Sequence, residues 1–360
     1  MIRCNLLRSV HQWTHSRSLS RVIPITMEIP YILSSKELLR IKKVYDDFQK
    51  HFQIIFVEDL IADTSPRQKQ LYQAIQGIQL VTIAGNKILP TKIKDENFIS
   101  SLPNLKILSY TGVGRDHLDL PMLHRHGIVV ANSGAHDIVN NTVEFGFGLM
   151  LTLARNIHTG MHAYLNEDFD WCTYLMVNSG SLLMDSMLGI VGMGRIGYQI
   201  AERAAAFKMK IVYHNRTQRS KEDEELVNAK YCQTLNELLR MSDHVMLAVP
   251  LSDKTKRMIG ARELKLMKPN AAIINISRGA VIDQDALIEA LNNHTIQGAA
   301  LDVTTPEPLP PDHPLLKMSN VIVTPHAGGN NVRSFYSKYQ ICLENIKAAI
   351  EGRPVQNEIK

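Results

Sequence analysis

Cysteine is scarce in this chain. Cys4, Cys172, Cys232 and Cys342 are far apart, so no zinc knuckle, redox dithiol or disulfide framework can be assembled from local spacing. Reduced, structural thiols are expected. Also missing is any unbroken run of the roughly 18 apolar residues that a membrane-spanning helix requires. The most apolar helical stretch, Phe145–Ala154, is about half that length, follows Glu144, and reads as a buried helix. No long-period repeat or low-complexity tract is present. His158 and His162 stand four apart, but only Thr159, Gly160 and Met161 lie between them. The glutamate of a zincin is absent, so no metal is expected.

Acid is absent from the start of the chain. Residues 1–27 carry Arg3, Arg8, Arg17 and Arg21, and the first carboxylate is Glu28. With those arginines set aside, 36 basic groups face 35 acidic ones, and the formal charge of +5 falls to +1. A near-neutral body excludes general electrostatic attraction to nucleic acid or anionic membrane. The Arg-, Ser- and His-bearing start reads as a mitochondrial targeting segment. The alternative is a leader before a start at Met27, with a cytoplasmic product.

What is present describes a globular enzyme-sized chain of 360 residues, 45% hydrophobic and 21% charged, long enough for two domains. Short apolar runs alternate with helical segments: Ile29–Leu33, a helix capped by Ser35 and ending near Gln49, Phe52–Val57, a helix near Ser65–Gln76, Leu80–Ala84, Leu105–Tyr110 and Ile128–Ala131. Runs that are apolar without alternation fit parallel strands buried on both faces, joined by crossover helices, hence an α/β fold. Asn132–His136 is turn-like and suits a hinge, with Asp137 or Asn140 opening the long helix beyond it.

The clearest motif follows. Met187–Val191 is a strand, Gly192-Met193-Gly194-Arg195-Ile196-Gly197 a glycine loop, and the segment through about Phe207 an amphipathic helix. The first glycine permits the tight turn, the second lets a pyrophosphate approach the backbone, and the third lets helix pack on strand. The free N–H groups and dipole of the helix N-terminus favour the diphosphate charge. The next strand, Lys210–His214, ends in His214-Asn215-Arg216-Thr217-Gln218-Arg219. Asn215 stands where an NAD site usually has an acid, and Arg216 and Arg219 follow. A carboxylate would repel a 2′-phosphate; arginine binds one through charge-assisted hydrogen bonds. NADPH is therefore expected, with NADH as the alternative cofactor.

Further strands are expected at His244–Val249, Ala272–Ile276, Gly298–Leu301 and Val321–Thr324. Ligands of open parallel sheets bind beyond the strands' carboxyl ends, where Arg278, Asp302, Glu307 and His326 follow. Residues about 105–358 resemble the D-isomer-specific 2-hydroxyacid dehydrogenase family, in particular its glyoxylate/hydroxypyruvate reductase branch. The matching strings are Gly112-Val113-Gly114-Arg115-Asp116-His117-Leu118-Asp119, the glycine loop, Asn275-Ile276-Ser277-Arg278-Gly279, Leu301–Pro310 (Leu-Asp-Val-Thr-Thr-Pro-Glu-Pro-Leu-Pro) and Thr324-Pro325-His326.

The resemblance implies two doubly wound parallel-sheet domains. One is a flavodoxin-like substrate domain of residues 28–131 plus 326–360; the other is a Rossmann nucleotide-binding domain of residues 132–325, with the active site in the cleft. It implies that Arg278 binds the carboxylate and carbonyl oxygen of a 2-keto acid, that His326 is the acid/base, and that Glu307 pairs with His326. Backbone N–H groups of Val113 and Gly114 would hold the substrate carboxylate. Asp302 would lie near cofactor and substrate, or serve as a structural acid at a strand end. Pro250, Thr255, Ile276 and Gly328 would line the cofactor path, with Asn141, Thr142 and Tyr174 as further candidates.

The chemistry agrees with those roles. A planar, permanently charged guanidinium suits a carboxylate beside a carbonyl, and a neighbouring carboxylate favours the protonated imidazole needed to neutralise the nascent alkoxide. Two departures stand out. Ala327-Gly328-Gly329-Asn330-Asn331 replaces the family's usual Ile-Gly-Ser-Ala-Thr, and Glu167–Ser181 aligns poorly in a region that shapes substrate choice. The expected protein is an NADPH-preferring reductase of glyoxylate and hydroxypyruvate, acting as a homodimer on a small-molecule 2-keto or 2-hydroxy acid. The rivals are a 3-phosphoglycerate dehydrogenase, against which only 34 residues follow His326, and a cofactor-sensing corepressor-type binding protein.

Overall fold

The computed structural model describes residues 31–34, 39, 42–56, 80–84, 95–112, 114–115, 118–134, 136–164, 170–172, 174 and 179–360. The proposed targeting segment, the Ser35 cap and the helix expected near Ser65–Gln76 lie outside the described residues. The chain divides into two compact units, one up to Gly134 and again from Phe335 to Lys360, the other Ala135–Ser334. The second junction falls beyond the expected 325/326, for a local reason. The N–H groups of Ala327 and Gly328 both bond the Asp302 carboxylate, and Asn331 bonds Asn141, which ties 326–334 to the second unit.

Among the described residues of the first unit five parallel strands, β1 (Tyr31–Ser34), β2 (Gln53–Phe56), β3 (Leu80–Ala84), β4 (Leu105–Tyr110) and β5 (Val129–Asn132), lie in the order β2-β1-β3-β4-β5. This is the flavodoxin-like order. Alternate residues of β4 and β5 enter opposite layers. Leu108 and Val130 pack with Phe98, Met122 and Leu123, whereas Ile107 and Ala131 pack with Phe48, Tyr339 and Ile346. An apolar run without alternation is what two covered faces require. Asp95 and Asp119 cap the short helices Glu96–Ser100 and Leu120–Arg125 by accepting from Asn97 N–H and Met122 N–H. The chain's end pairs with β5 in the antiparallel sense, Ile359 N–H donating to the Val130 carbonyl at 2.8 Å.

The second unit holds seven parallel strands: β6 (Met187–Val191), β7 (Lys210–His214), β8 (Ala229–Tyr231), β9 (His244–Leu247), β10 (Ala272–Asn275), β11 (Gly298–Leu301) and β12 (Val321–Val323). Their order, β12-β11-β10-β9-β6-β7-β8, is that of a Rossmann sheet extended by one strand. Ile190, Met246, Ile274 and Ala300 face a layer containing Val143, Met150, Ile200 and Ala204. Val191, Leu247, Ile273 and Leu301 face Leu238, Leu264 and Leu287 on the other side. The apolar stretch expected to be a buried helix belongs to the helix His136–Ala154, which supplies Val143, Phe147, Met150 and Leu153 to that first layer. It opens at His136, ahead of both expected starting residues. No helix among the described residues is long and apolar enough to cross a membrane.

Candidate active site

Sheet register assembles the motifs. Val323, Leu301, Asn275, Leu247, Val191 and His214 are successive cross-strand partners, forming one row at the carboxyl edge of the second unit's sheet. Everything singled out in this unit's strand-end motifs leaves the sheet just beyond that row. β6 and β9 are neighbours there although not consecutive in sequence, so the glycine loop stands at the switch point.

His326 follows β12 in a left-handed conformation (φ 54°). Its N–H donates to the carbonyls of Asp302 (2.8 Å) and Thr324 (3.0 Å). The ring Nδ1 is 2.6 Å from Glu307 Oε1, which leaves Nε2 as the nitrogen turned away from the carboxylate; the two side chains are 45% and 37% exposed. Asp302, 2% exposed, uses its own carboxylate on the surrounding turn. Oδ1 accepts from the Thr324 hydroxyl (2.7 Å) and Ala327 N–H (2.8 Å), and Oδ2 accepts from Gly328 N–H (2.8 Å). The geometry therefore gives Asp302 the role of a strand-end acid that builds the His326 turn, and gives Gly328 a buried N–H committed to it.

Arg278 lies beyond β10, part-buried, with Nη1 donating to the Ser277 carbonyl at 2.8 Å. A side chain on Gly279 would place its Cβ 2.1 Å from the Thr304 carbonyl oxygen, so only glycine lets the segment after Arg278 press against the chain beyond β11. Ile276 is 7% exposed and packs its side chain against Gly146, so only its main chain faces the sheet's edge.

The glycine loop has the space its three positions require. Gly192 has φ +98°, and a Cβ there would meet the Ala248 carbonyl at 2.8 Å. A Cβ on Gly197 would meet the Gly192 carbonyl at 2.1 Å, whereas one on Gly194 would meet nothing within 4 Å. Gly194 is the N-cap of the helix Arg195–Ala206 and contributes no side chain. Open space above unpaired helix N–H groups fits a diphosphate. Met193 is buried at 1%, Ile196 packs against the core, and Arg195 is exposed.

Beyond β7 the two arginines differ. Arg219 is bound on every side: its guanidinium pairs with Asp223 at 2.9 Å, donates to the Met193 carbonyl at 3.0 Å, and lies 4.6 Å over the Tyr198 ring. It clamps the glycine loop. Arg216 is exposed beside Asn215, whose amide donates to the Thr217 carbonyl at 3.2 Å. His214 Nδ1 lies 3.0 Å from the Cys232 carbonyl. The Thr255 hydroxyl donates to the Pro250 carbonyl at 2.7 Å and closes the loop after β9.

Other expected residues are placed as follows. Gly114 lies in the first unit beyond β4, and Val113 falls outside the described residues. Asn141 is hydrogen-bonded to Asn331 and to the Gly329 carbonyl; Thr142 is buried; a Cβ on Gly160 would meet the Tyr174 hydroxyl at 2.6 Å. His158 Nε2 lies 2.8 Å from the Ser319 carbonyl, and no group of metal-ligating side chains occurs among the described residues. Burial pushes the Cys232 thiol up to about 11 and the Cys342 thiol up to about 12, as suits structural cysteines; Cys172 is exposed.

The chain is similar to known proteins in both sequence and fold. The D-isomer specific 2-hydroxyacid dehydrogenase NAD-binding domain matches residues 147–328. A glyoxylate reductase of Aeropyrum pernix is 36% identical over 297 residues, covering 81% of this chain and 85% of that protein. A D-3-phosphoglycerate dehydrogenase of Methanocaldococcus jannaschii is 34% identical over 297 residues, covering 82% of this chain and 54% of that protein. The structure of an NADPH-dependent glyoxylate/hydroxypyruvate reductase from Sinorhizobium meliloti, in complex with NADP and malonate, superposes with a TM-score of 0.75 at 26% identity. It covers 92% of this chain and 96% of that one.

Proposed function

The chain belongs to the D-isomer-specific 2-hydroxyacid dehydrogenase family, and we propose that this NAD(P)-dependent reductase of small keto acids takes glyoxylate and hydroxypyruvate, with NADPH preferred. The observation that carries the chemistry is the 2.6 Å contact between His326 Nδ1 and Glu307 Oε1. A carboxylate on one ring nitrogen fixes ring orientation and tautomer and leaves Nε2 to work on the substrate. Arg278 holds the keto acid's carboxylate and polarises its carbonyl. When bound, the nicotinamide supplies the hydride that becomes the hydrogen on C2 of the product. His326 Nε2 gives its proton to the carbonyl oxygen, leaving a neutral hydroxyl and a neutral imidazole. Gly192–Gly197, with the N-terminus of the helix Arg195–Ala206, would hold the diphosphate.

Arg216 supports the NADPH preference. It is exposed beside Asn215, at the strand end where an acid would repel a 2′-phosphate. The test is a panel of glyoxylate, hydroxypyruvate and phosphohydroxypyruvate against both reduced cofactors at limiting concentration. Faster NADPH oxidation with the first two supports the reading; equal or reversed preference rejects it. The Methanocaldococcus relative favours a second reading, a 3-phosphoglycerate dehydrogenase-like enzyme, which faster turnover of phosphohydroxypyruvate with NADH would establish.

Two further expectations belong to the proposal. Assembly as a homodimer is supported by exposed apolar side chains on the second unit, among them Met161 (69%) and Tyr164 (74%), and a monomeric mass in light scattering rejects it. Import into mitochondria is supported by the acid-free, arginine-bearing residues 1–27; identical cytosolic distributions of full-length and Met27-start fusions reject it.

A further inference from the structure

Asn275 is the last residue of β10, and its side chain is wholly buried at 0% exposure. The amide nitrogen donates to the Arg278 carbonyl at 2.9 Å. The amide oxygen accepts from Ser277 N–H at 3.0 Å and from the Ser277 hydroxyl at 2.8 Å. One side chain therefore closes the Asn275–Arg278 turn from inside, satisfying three polar groups where the strand leaves the sheet. The flanks of the turn are held by shape. Ile276 fills the space over Gly146, and the Gly279 main chain presses on that of Thr304. Asn275 is the polar element of this anchorage and bonds directly to Arg278's main chain.

From this geometry we propose that Asn275 is a positioning residue for substrate recognition: it fixes the main chain of Arg278 so that the guanidinium meets the keto acid's carboxylate and carbonyl in one orientation. The inference rests on the reading that Arg278 binds that substrate. An aspartate of the same size keeps the acceptor toward Ser277 and sets an oxygen against the Arg278 carbonyl. Alanine removes all three bonds and leaves Ser277 N–H without its acceptor in a buried site. Misplacing a binding group by about 1 Å costs up to a hundredfold in rate, and the loss should fall on keto-acid kinetics.

The experiment is a double-mutant cycle of Asn275→Ala with Arg278→Ala, reading kcat/KM for glyoxylate at saturating NADPH and, separately, NADPH affinity by fluorescence. Asn275→Ala alone should lower kcat/KM by about ten- to a hundredfold while NADPH affinity stays within about threefold. In the Arg278→Ala background the same change should alter kcat/KM by less than about twofold, because the group through which Asn275 acts is gone. A full, additive loss in that background overturns the proposal, as does an equal loss of NADPH affinity. An Arg278→Ala protein with unchanged keto-acid kinetics overturns the reading of Arg278 itself, a separate result. Asn275→Asp is carried through the same cycle with the same expected direction, so a folding defect in the alanine variant does not decide the matter.

Discussion

Replacing Asp302 with asparagine should undo the turn that carries His326. The carboxylate accepts three hydrogen bonds at 2.7, 2.8 and 2.8 Å, two of them from consecutive backbone N–H groups that meet different oxygens. An amide has one acceptor oxygen. Set in the Oδ1 position it keeps Thr324 and Ala327 but turns an NH2 toward Gly328 N–H; flipped, it keeps Gly328 and opposes Ala327 N–H. The Thr324 hydroxyl can rotate to accept, but a backbone N–H cannot. One buried N–H loses its partner in either orientation. A hydrogen bond to a charged group contributes about 1.5–3 kcal/mol, and the left-handed conformation that His326 holds (φ 54°) costs about 1–2 kcal/mol. The lost bond is as large as the strain it helps to offset, so the turn should relax and carry His326 away from Glu307. Asp302→Asn should lose about 2 kcal/mol of unfolding free energy and about ten- to a hundredfold in kcat. Urea unfolding and steady-state turnover measure the two. A variant with unchanged stability and kcat within threefold would refute the reasoning.

The two arginines beyond β7 should separate by function: Arg216→Ala weakens NADPH about tenfold or more and leaves NADH unchanged. Arg219→Ala, which removes the clamp on the Met193 carbonyl, weakens both cofactors alike; titration of the reverse pattern would assign the phosphate to Arg219. Burial depresses the proton affinity of His244, while the unfolded chain takes up that proton near pH 6.5. The unfolded state then binds more protons below about pH 6.5, so its stability contribution is full above that value and is lost as pH falls. Asp243, lowered from 3.8, acts only at more acid pH. Between about pH 7.5 and 5.5, His244→Leu should therefore reduce the fall in Tm, and an undiminished fall would reject the assignment.

Much of this was legible because the signals are local. The glycine loop works through close backbone approach at Gly192 and Gly197 and open space at Gly194, all within a few residues, so sequence and structure coincide there. The ends of β9, β10 and β12 fall earlier than apolarity implies, at Leu247, Asn275 and Val323. Val249 and Ile276 continue their runs after the ladder has stopped, and Thr324 keeps a last interstrand bond, its N–H donating to the Leu301 carbonyl at 2.9 Å. β8 left no signal: it has three residues, with Lys230 exposed between two part-buried neighbours. The partners of Arg219 were hidden because Tyr198 lies on the preceding helix and Asp223 on the following one. Asn275 was quoted within a motif, but its bonds depend on how β10 ends, which no spacing rule records. Parallel strands were implied by the alternating elements and the two doubly wound domains by the family resemblance, while the exact junction depended on Asp302 reaching Ala327 and Gly328.

The central claim is that His326 is the proton donor of a keto-acid reductase. Its most direct test is His326→Ala, read as single-turnover reduction of glyoxylate beside NADPH affinity. Turnover should fall by about a hundredfold or more, the scale of general acid catalysis, while NADPH binds as in the unaltered protein. Turnover within a few-fold of the unaltered enzyme would contradict the account.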